Sequence, residues 1–82
     1  MNEWLSQRAD ALAAEAGVPR DVLELSPGEI ERLLELAGFA AHSSGTRTNA
    51  PLLCYLVGLA RGGTEGAATG LEELDRIVRS TS

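Results

Sequence analysis

The segment from His42 to Asn49 carries the residue types in this chain that are best suited to chemistry. Thr46 and Thr48 offer hydroxyl groups, Arg47 offers a guanidinium group, and Asn49 lies where a helix is predicted to begin. Backbone N–H groups at a helix start, combined with a guanidinium group, can bind an anion such as phosphate or carboxylate. His42 lies at the predicted end of the preceding helix and would add a donor when protonated. The alternative is ordinary helix capping beside a surface arginine.

Other reactive side chains are isolated from one another. The chain has one histidine and one cysteine, Cys54, so neither an internal disulfide nor a thiolate-rich zinc site can form. The carboxylate of Glu35 lies seven residues before His42, which is ~10.5 Å along a helix axis. We therefore predict no metal site. Cys54 stands between Leu53 and Tyr55, and this apolar setting predicts a small core residue rather than a nucleophile.

The carboxylates and glycines also lack a catalytic pattern. Glu29, Glu31 and Glu35 share one predicted helix, where we expect a solvated outer face. Catalytic carboxylate pairs need a concave and poorly solvated site instead. The glycine-containing stretch 62–66 follows a helix rather than a strand and lacks the lysine of a phosphate-binding loop. We predict no catalytic residue, no cofactor and no enzyme activity.

Composition excludes two classes of partner. The 82 residues include 12 acids and seven arginines but no lysine, which gives a formal charge of -5. Binding to nucleic acid or to an anionic membrane requires surplus positive charge, so neither partner is expected. The longest apolar run, residues 50–60, is too short to span a bilayer, and no signal peptide is visible. We expect a cytoplasmic protein that forms a single helical domain over residues 1–82.

Four helices must position these residues. Hydrophobic periodicity predicts them at about residues 3–16, 27–42, 50–61 and 65–79. Asn2 is the predicted cap of the first helix, and Gly17 is its predicted stop. Ser26 and Glu29 form a predicted capping box at the start of the second helix, with Pro27 in the first helical position.

The third predicted helix carries apolar side chains in nearly every direction around its axis. Such a helix is normally buried in the middle of a domain. The fold class that follows is all-α, a small antiparallel four-helix bundle with helix 3 central.

Two aromatic side chains are candidates for an interface. Phe39 falls outside the apolar stripe of the second helix, and Trp4 lies in the first turn of the first helix. A core of this size cannot cover every apolar side chain, and small domains often gain stability by oligomerising. We therefore expect self-association as a homodimer, with Trp4 and Phe39 as candidate interface residues.

The string as a whole resembles a known family. Its pattern runs from Trp4-Leu5 through Ala41-His42 and Arg47 to Ala50-Pro51-Leu52, and it continues with Leu56-Val57-Gly58 and Gly62. In this pattern the chain resembles a small actinobacterial domain family of unknown function, over nearly its whole length. The resemblance implies an association, sometimes a fusion, with the molybdenum cofactor guanylyltransferase of molybdopterin-guanine dinucleotide biosynthesis. It assigns a catalytic role to none of these residues.

Two hypotheses about function follow. The first is a non-catalytic helical accessory domain that docks onto a protein partner, such as a molybdenum cofactor biosynthesis enzyme, or onto itself. The second is a domain that binds a small anion, a nucleotide or a pterin phosphate through His42, Thr46, Arg47, Thr48 and Asn49. An exposed apolar patch would favour the first hypothesis, and a concave pocket lined by Arg47 would favour the second. We favour the first.

Overall fold

The structure is a computed structural model, and it describes residues 1–62 and 70–80. Across these residues the fold is all-α, as predicted, with no strand. The helices are α1 (Glu3–Ala16), α2 (Pro27–Ser44), α3 (Asn49–Gly62) and α4 (Leu71–Ser80), and a short 3₁₀ helix spans Arg20–Leu23. The predicted start of the fourth helix at residue 65 lies outside the described residues.

Helix α1 is capped at both ends as the sequence predicts. The Leu5 N–H donates to Asn2 Oδ1 over 2.8 Å, and Gly17 adopts the left-handed conformation with φ of +70°. Only glycine enters that region without strain from a Cβ atom. Ala9 and Ala13 are the buried residues of α1, and the helix packs against α4 and the 3₁₀ helix. Met1–Leu25 and α4 belong to one compact unit, called the α1 unit below.

Arg20 holds the 3₁₀ helix to α1 through ion pairs. Its Nε lies 2.6 Å from Asp10 Oδ1, and its Nη1 lies 3.1 Å from Glu24 Oε1. The hydrogen bond to Asp10 is the main cause of a raised pKa of Arg20. These bonds are local to the α1 unit, so they fix the chain direction after the turn at Gly17.

Helices α2 and α3 form a second compact unit, Ser26–Gly63, called the hairpin below. The capping box at Ser26 and Glu29 is present, with Pro27 in the first turn. Helix α2 ends at Ser44, after which Gly45 provides a left-handed cap, and the Ser44 Oγ donates to the Ala40 carbonyl over 2.6 Å. A short loop, 45–48, then leads into α3.

The central position predicted for the third helix is not confirmed. Helix α3 packs on α2 within the hairpin, but none of its residues is buried. The only residue of α2 that is buried is Ala40. The apolar side chains that point in every direction around α3 are therefore partly exposed, and the single-domain prediction stays a prediction.

Candidate functional site

The loop between α2 and α3 positions the predicted anion-binding residues on the surface. His42, Thr46, Arg47, Thr48 and Asn49 are all exposed. The structure brings two of them together, because Thr46 Oγ1 and Thr48 Oγ1 lie 3.0 Å apart. Along the described chain, Arg47 and His42 have no hydrogen bond or ion pair with another side chain.

Backbone donors at the start of α3 are already partly used. The Asn49 N–H donates to the Thr46 carbonyl over 3.3 Å, and the Ala50 N–H donates to the Arg47 carbonyl over 3.1 Å. Two N–H groups that could have faced an anion therefore close the turn instead. Arg47 does not line either of the two clefts found on the hairpin.

A larger feature is an apolar cleft where the end of α2 meets the start of α3. It is an open cleft of about 430 Å³. Its walls are Phe39, Ala40, Ser43, Ser44, Asn49, Leu52, Leu53 and Leu56. No charged residue lines it. Phe39 is 64% exposed, Leu52 is 61% exposed and Leu56 is 59% exposed, so the cleft presents large apolar side chains to solvent.

The cleft continues into a stripe along α3. Tyr55 and Leu59 are 55% and 44% exposed, and together with Leu52 and Leu56 they recur at the three- and four-residue spacing that places side chains on one helix face. We call Phe39, Leu52, Tyr55, Leu56 and Leu59 the hairpin surface.

The opposite side of α3 packs on α2. Ala50, Leu53 and Cys54 are half-buried there. The Cys54 thiol lies 3.9 Å from the Leu33 carbonyl, which fits the small core residue expected from its neighbours. Helix α3 therefore has two apolar sides, of which α2 covers one.

A second cleft lies at the other end of the hairpin and contains an ion pair that sequence reasoning missed. Arg61 Nη1 lies 2.8 Å from Glu29 Oε2, where the start of α2 meets the end of α3. The Glu29 carboxylate also accepts the Ser26 N–H over 2.8 Å. This backbone hydrogen bond, and then Arg61, lower the pKa of Glu29.

The sequence-based interpretation placed Glu29 on a solvated outer face. The signal that could have corrected it is the short loop 45–48, because a tight connection between α2 and α3 brings the end of α3 back to the start of α2. Glu29 thus caps α2 and ties the two helices together.

The two candidate interface residues lie in different units. Phe39 belongs to the hairpin surface. Trp4 belongs to the α1 unit and is 57% exposed, and one face of its ring is covered by Arg8, whose guanidinium carbon lies 4.1 Å from the ring centroid. Trp4 therefore already has an interaction partner on its own helix.

Residues 1–62 and 70–80 lack two further kinds of feature. No group of three or more His, Cys, Asp or Glu side chains there could hold a metal ion. None of the described helices is both long and apolar enough to cross a membrane.

Comparisons with known proteins give one match. No curated protein and no solved structure matches the chain. The model of the family described as domain of unknown function DUF6457 matches residues 1–82, so the chain belongs to this family.

Proposed function

We propose that this protein is a non-catalytic helical interaction domain that docks onto a protein partner through the hairpin surface. The observation that carries the proposal is the exposure of Phe39, Leu52 and Leu56 around one cleft with no charged wall. Exposed apolar side chains that are contiguous, rather than scattered, are typical of interaction sites.

The charge pattern supports a protein partner. The hairpin surface carries no formal charge, and the chain as a whole carries -5. Nucleic acid or an anionic membrane would need arginine or lysine side chains at the docking surface. An apolar surface on another protein needs none, because its burial is driven by the release of water.

The finer parts of the proposal come from the sequence. The domain acts in the cytoplasm, and its partner is a molybdenum cofactor biosynthesis enzyme, as the family resemblance implies, or a second copy of the chain. Once the partner covers the outer side of α3, this helix takes the central position in an antiparallel helical bundle. Covering the surface would also explain why α3 is apolar on nearly all sides although none of its residues is buried within the chain.

The anion-binding hypothesis has less support. Arg47 is free to meet an anion, but it stands on an exposed loop in which the Asn49 and Ala50 N–H groups are already bonded. A guanidinium group in open solvent gains little from one ionic contact. Inorganic phosphate should therefore leave the melting temperature unchanged, whereas a rise that is lost in Arg47→Ala would favour the anion-binding function.

Site-specific photo-crosslinking in the native cell tests the docking proposal. A photoreactive amino acid at position 56 should give covalent products with protein. The matched control is position 34, since Leu34 is 68% exposed on the same hairpin but lies outside the hairpin surface. Products at position 56 and not at position 34 support the proposal. Equal yields at both positions, or no product at either, contradict it.

A further inference from the structure

We infer that the hairpin surface pairs with the same surface of a second copy of this chain. The inference rests on the proposed docking function and names the occupant of its surface. Two hairpins that meet through α3 would form a four-helix assembly, in which each α3 has α2 on one side and the partner chain on the other.

Charge is distributed unevenly along the chain. The hairpin contains three acids, Glu29, Glu31 and Glu35, and three arginines, Arg32, Arg47 and Arg61, so its formal charge is zero. The remaining residues hold nine acids and four arginines, which accounts for the whole charge of -5.

The neutrality of the hairpin matters because two copies must approach each other with identical charges. A symmetric interface opposes a surface to itself, so any net charge on that surface is repelled by its copy. The hairpin surface has no such penalty. A strongly acidic or basic partner would, in contrast, find no complementary charge on it.

The exposed apolar area of the hairpin surface is close to what one side of a dimer buries. Fully buried aromatic side chains contribute about 150–250 Å² each, so the exposed fractions of Phe39 and Tyr55 offer roughly 200–300 Å² together. The three leucines bring the apolar total to about 300–500 Å² per copy. A standard interface buries ~800 Å² per partner, of which ~65% is apolar in homodimers. The hairpin surface therefore supplies most of the apolar area that one side of a modest dimer needs.

Burial within the hairpin itself is poor. Ala40 is its one buried residue among those described, whereas Phe39, Leu52 and Leu56 are 64%, 61% and 59% exposed. A second copy that covers these side chains would remove their apolar surface from water, which favours association.

Analytical ultracentrifugation of the full chain across micromolar concentrations tests the inference. Wild type should show a reversible monomer–dimer equilibrium. Leu56→Glu places a charge in the centre of the surface and should weaken the dimer at least tenfold. Leu34→Glu makes the same chemical change at an exposed leucine of the same hairpin, and it should dimerise like wild type.

Three results would overturn the inference. The first is a wild-type chain that stays monomeric throughout. The second is equal weakening of the dimer by Leu56→Glu and Leu34→Glu. The third is loss of helicity in monomeric Leu56→Glu, which would mean that the chain's own residues cover the surface. Circular dichroism detects that loss. The milder Leu56→Ala should keep full helicity and still weaken the dimer, and an unchanged dimer would count against the inference.

The two proposals can fail separately. A monomeric chain that crosslinks at position 56 only to other proteins would retain the docking function and exclude self-association. A chain that gives no crosslink at position 56 and no dimer would contradict both.

Discussion

The hairpin exposes more large apolar side chains than the α1 unit does, seven against four among the described residues. The α1 unit buries Ala9 and Ala13, and it contains the ion pairs of Arg20 with Asp10 and Glu24. The hairpin buries Ala40 and leaves Phe39 and a leucine-rich stripe of α3 in solvent. The net charge of the chain, -5, belongs to the segments outside the hairpin.

This contrast shows what an average over the whole chain conceals. A composition of 44% hydrophobic residues and a charge of -5 is typical of an ordinary acidic soluble domain. Here this average combines a neutral hairpin with acidic segments outside it. Net charge repels two copies of the chain, and exposed apolar area attracts them. Because the net charge lies outside the hairpin, the hairpin can associate with its copy.

The largest effect is expected from overpacking the α1 unit. Ala13 is 5% exposed, so Ala13→Leu must displace its neighbours and should lower the free energy of unfolding by ~1–3 kcal/mol. Urea unfolding followed by the fluorescence of Trp4 measures this change, because Trp4 lies on the same helix. The loss should not depend on protein concentration.

The matched control is Ala14→Leu, since Ala14 is exposed on the same helix. It should change the free energy by less than about 0.5 kcal/mol. If both leucine variants behaved alike, Ala13 would not be a packed position of the α1 unit.

A pair of glycine variants should act in opposite directions in the two regions. Gly17 in the α1 unit has a φ of +70°, so Gly17→Ala should cost about 1 kcal/mol through left-handed strain. Gly58 lies in the middle of α3, and a Cβ atom built there meets nothing within 4 Å. Gly58→Ala should therefore stabilise by ~0.5–1 kcal/mol through its higher helix propensity.

Thermal and urea unfolding of both variants would measure this difference. Gly58 lies off the exposed stripe of α3, so Gly58→Ala should also leave dimerisation unchanged. A loss of the dimer in this variant would extend the association surface beyond the residues assigned to it.

The smallest effect concerns pH and the hairpin ion pair. The pKa of Glu29 is lowered in the folded chain, so its ionised form stabilises the fold above the ordinary carboxyl pKa. This contribution is lost as the pH falls through the lowered value. Wild type should therefore lose more stability than Glu29→Gln between neutral pH and about pH 3.

Urea unfolding at the two pH values checks this prediction, with Glu31→Gln as the control on the same helix. Glu31 is exposed, so its replacement should leave the acid sensitivity close to that of wild type. Equal acid sensitivity in wild type and Glu29→Gln would show that the ionised Glu29 carboxylate, bonded to the Ser26 N–H and to Arg61, does not contribute.

Local signals in the sequence predicted the helices. Contacts between residues far apart in the chain determine which side of α3 is covered and which charged residues meet. Asn2, Gly17 and the capping box at Ser26 act within a few residues, so their positions could be inferred from the sequence alone. The end of α2 was placed two residues early although Gly45, its left-handed cap, is itself a local signal for the end of a helix.

The residues of the candidate site were likewise predicted only in part from the sequence. Phe39 was singled out because it falls outside the apolar stripe of its helix, and it does line the cleft. The contributions of Leu52 and Leu56 were missed because an all-round apolar helix does not reveal which of its sides a neighbour covers. Glu29 and Arg61 are 32 positions apart in the chain, and their contact depends on how α3 packs along α2.

Hydrogen–deuterium exchange at low and high protein concentration tests most directly the claim that the hairpin, and not the α1 unit, is where copies meet. Amides of α3 and of the end of α2 should exchange more slowly at high concentration, because association covers Leu52, Leu56 and Phe39 and suppresses local opening. Amides of α1 should show no change, and the slowing in α3 should be absent in Leu56→Glu. Protection that appears in α1, or α3 exchange that is independent of concentration, would contradict the account.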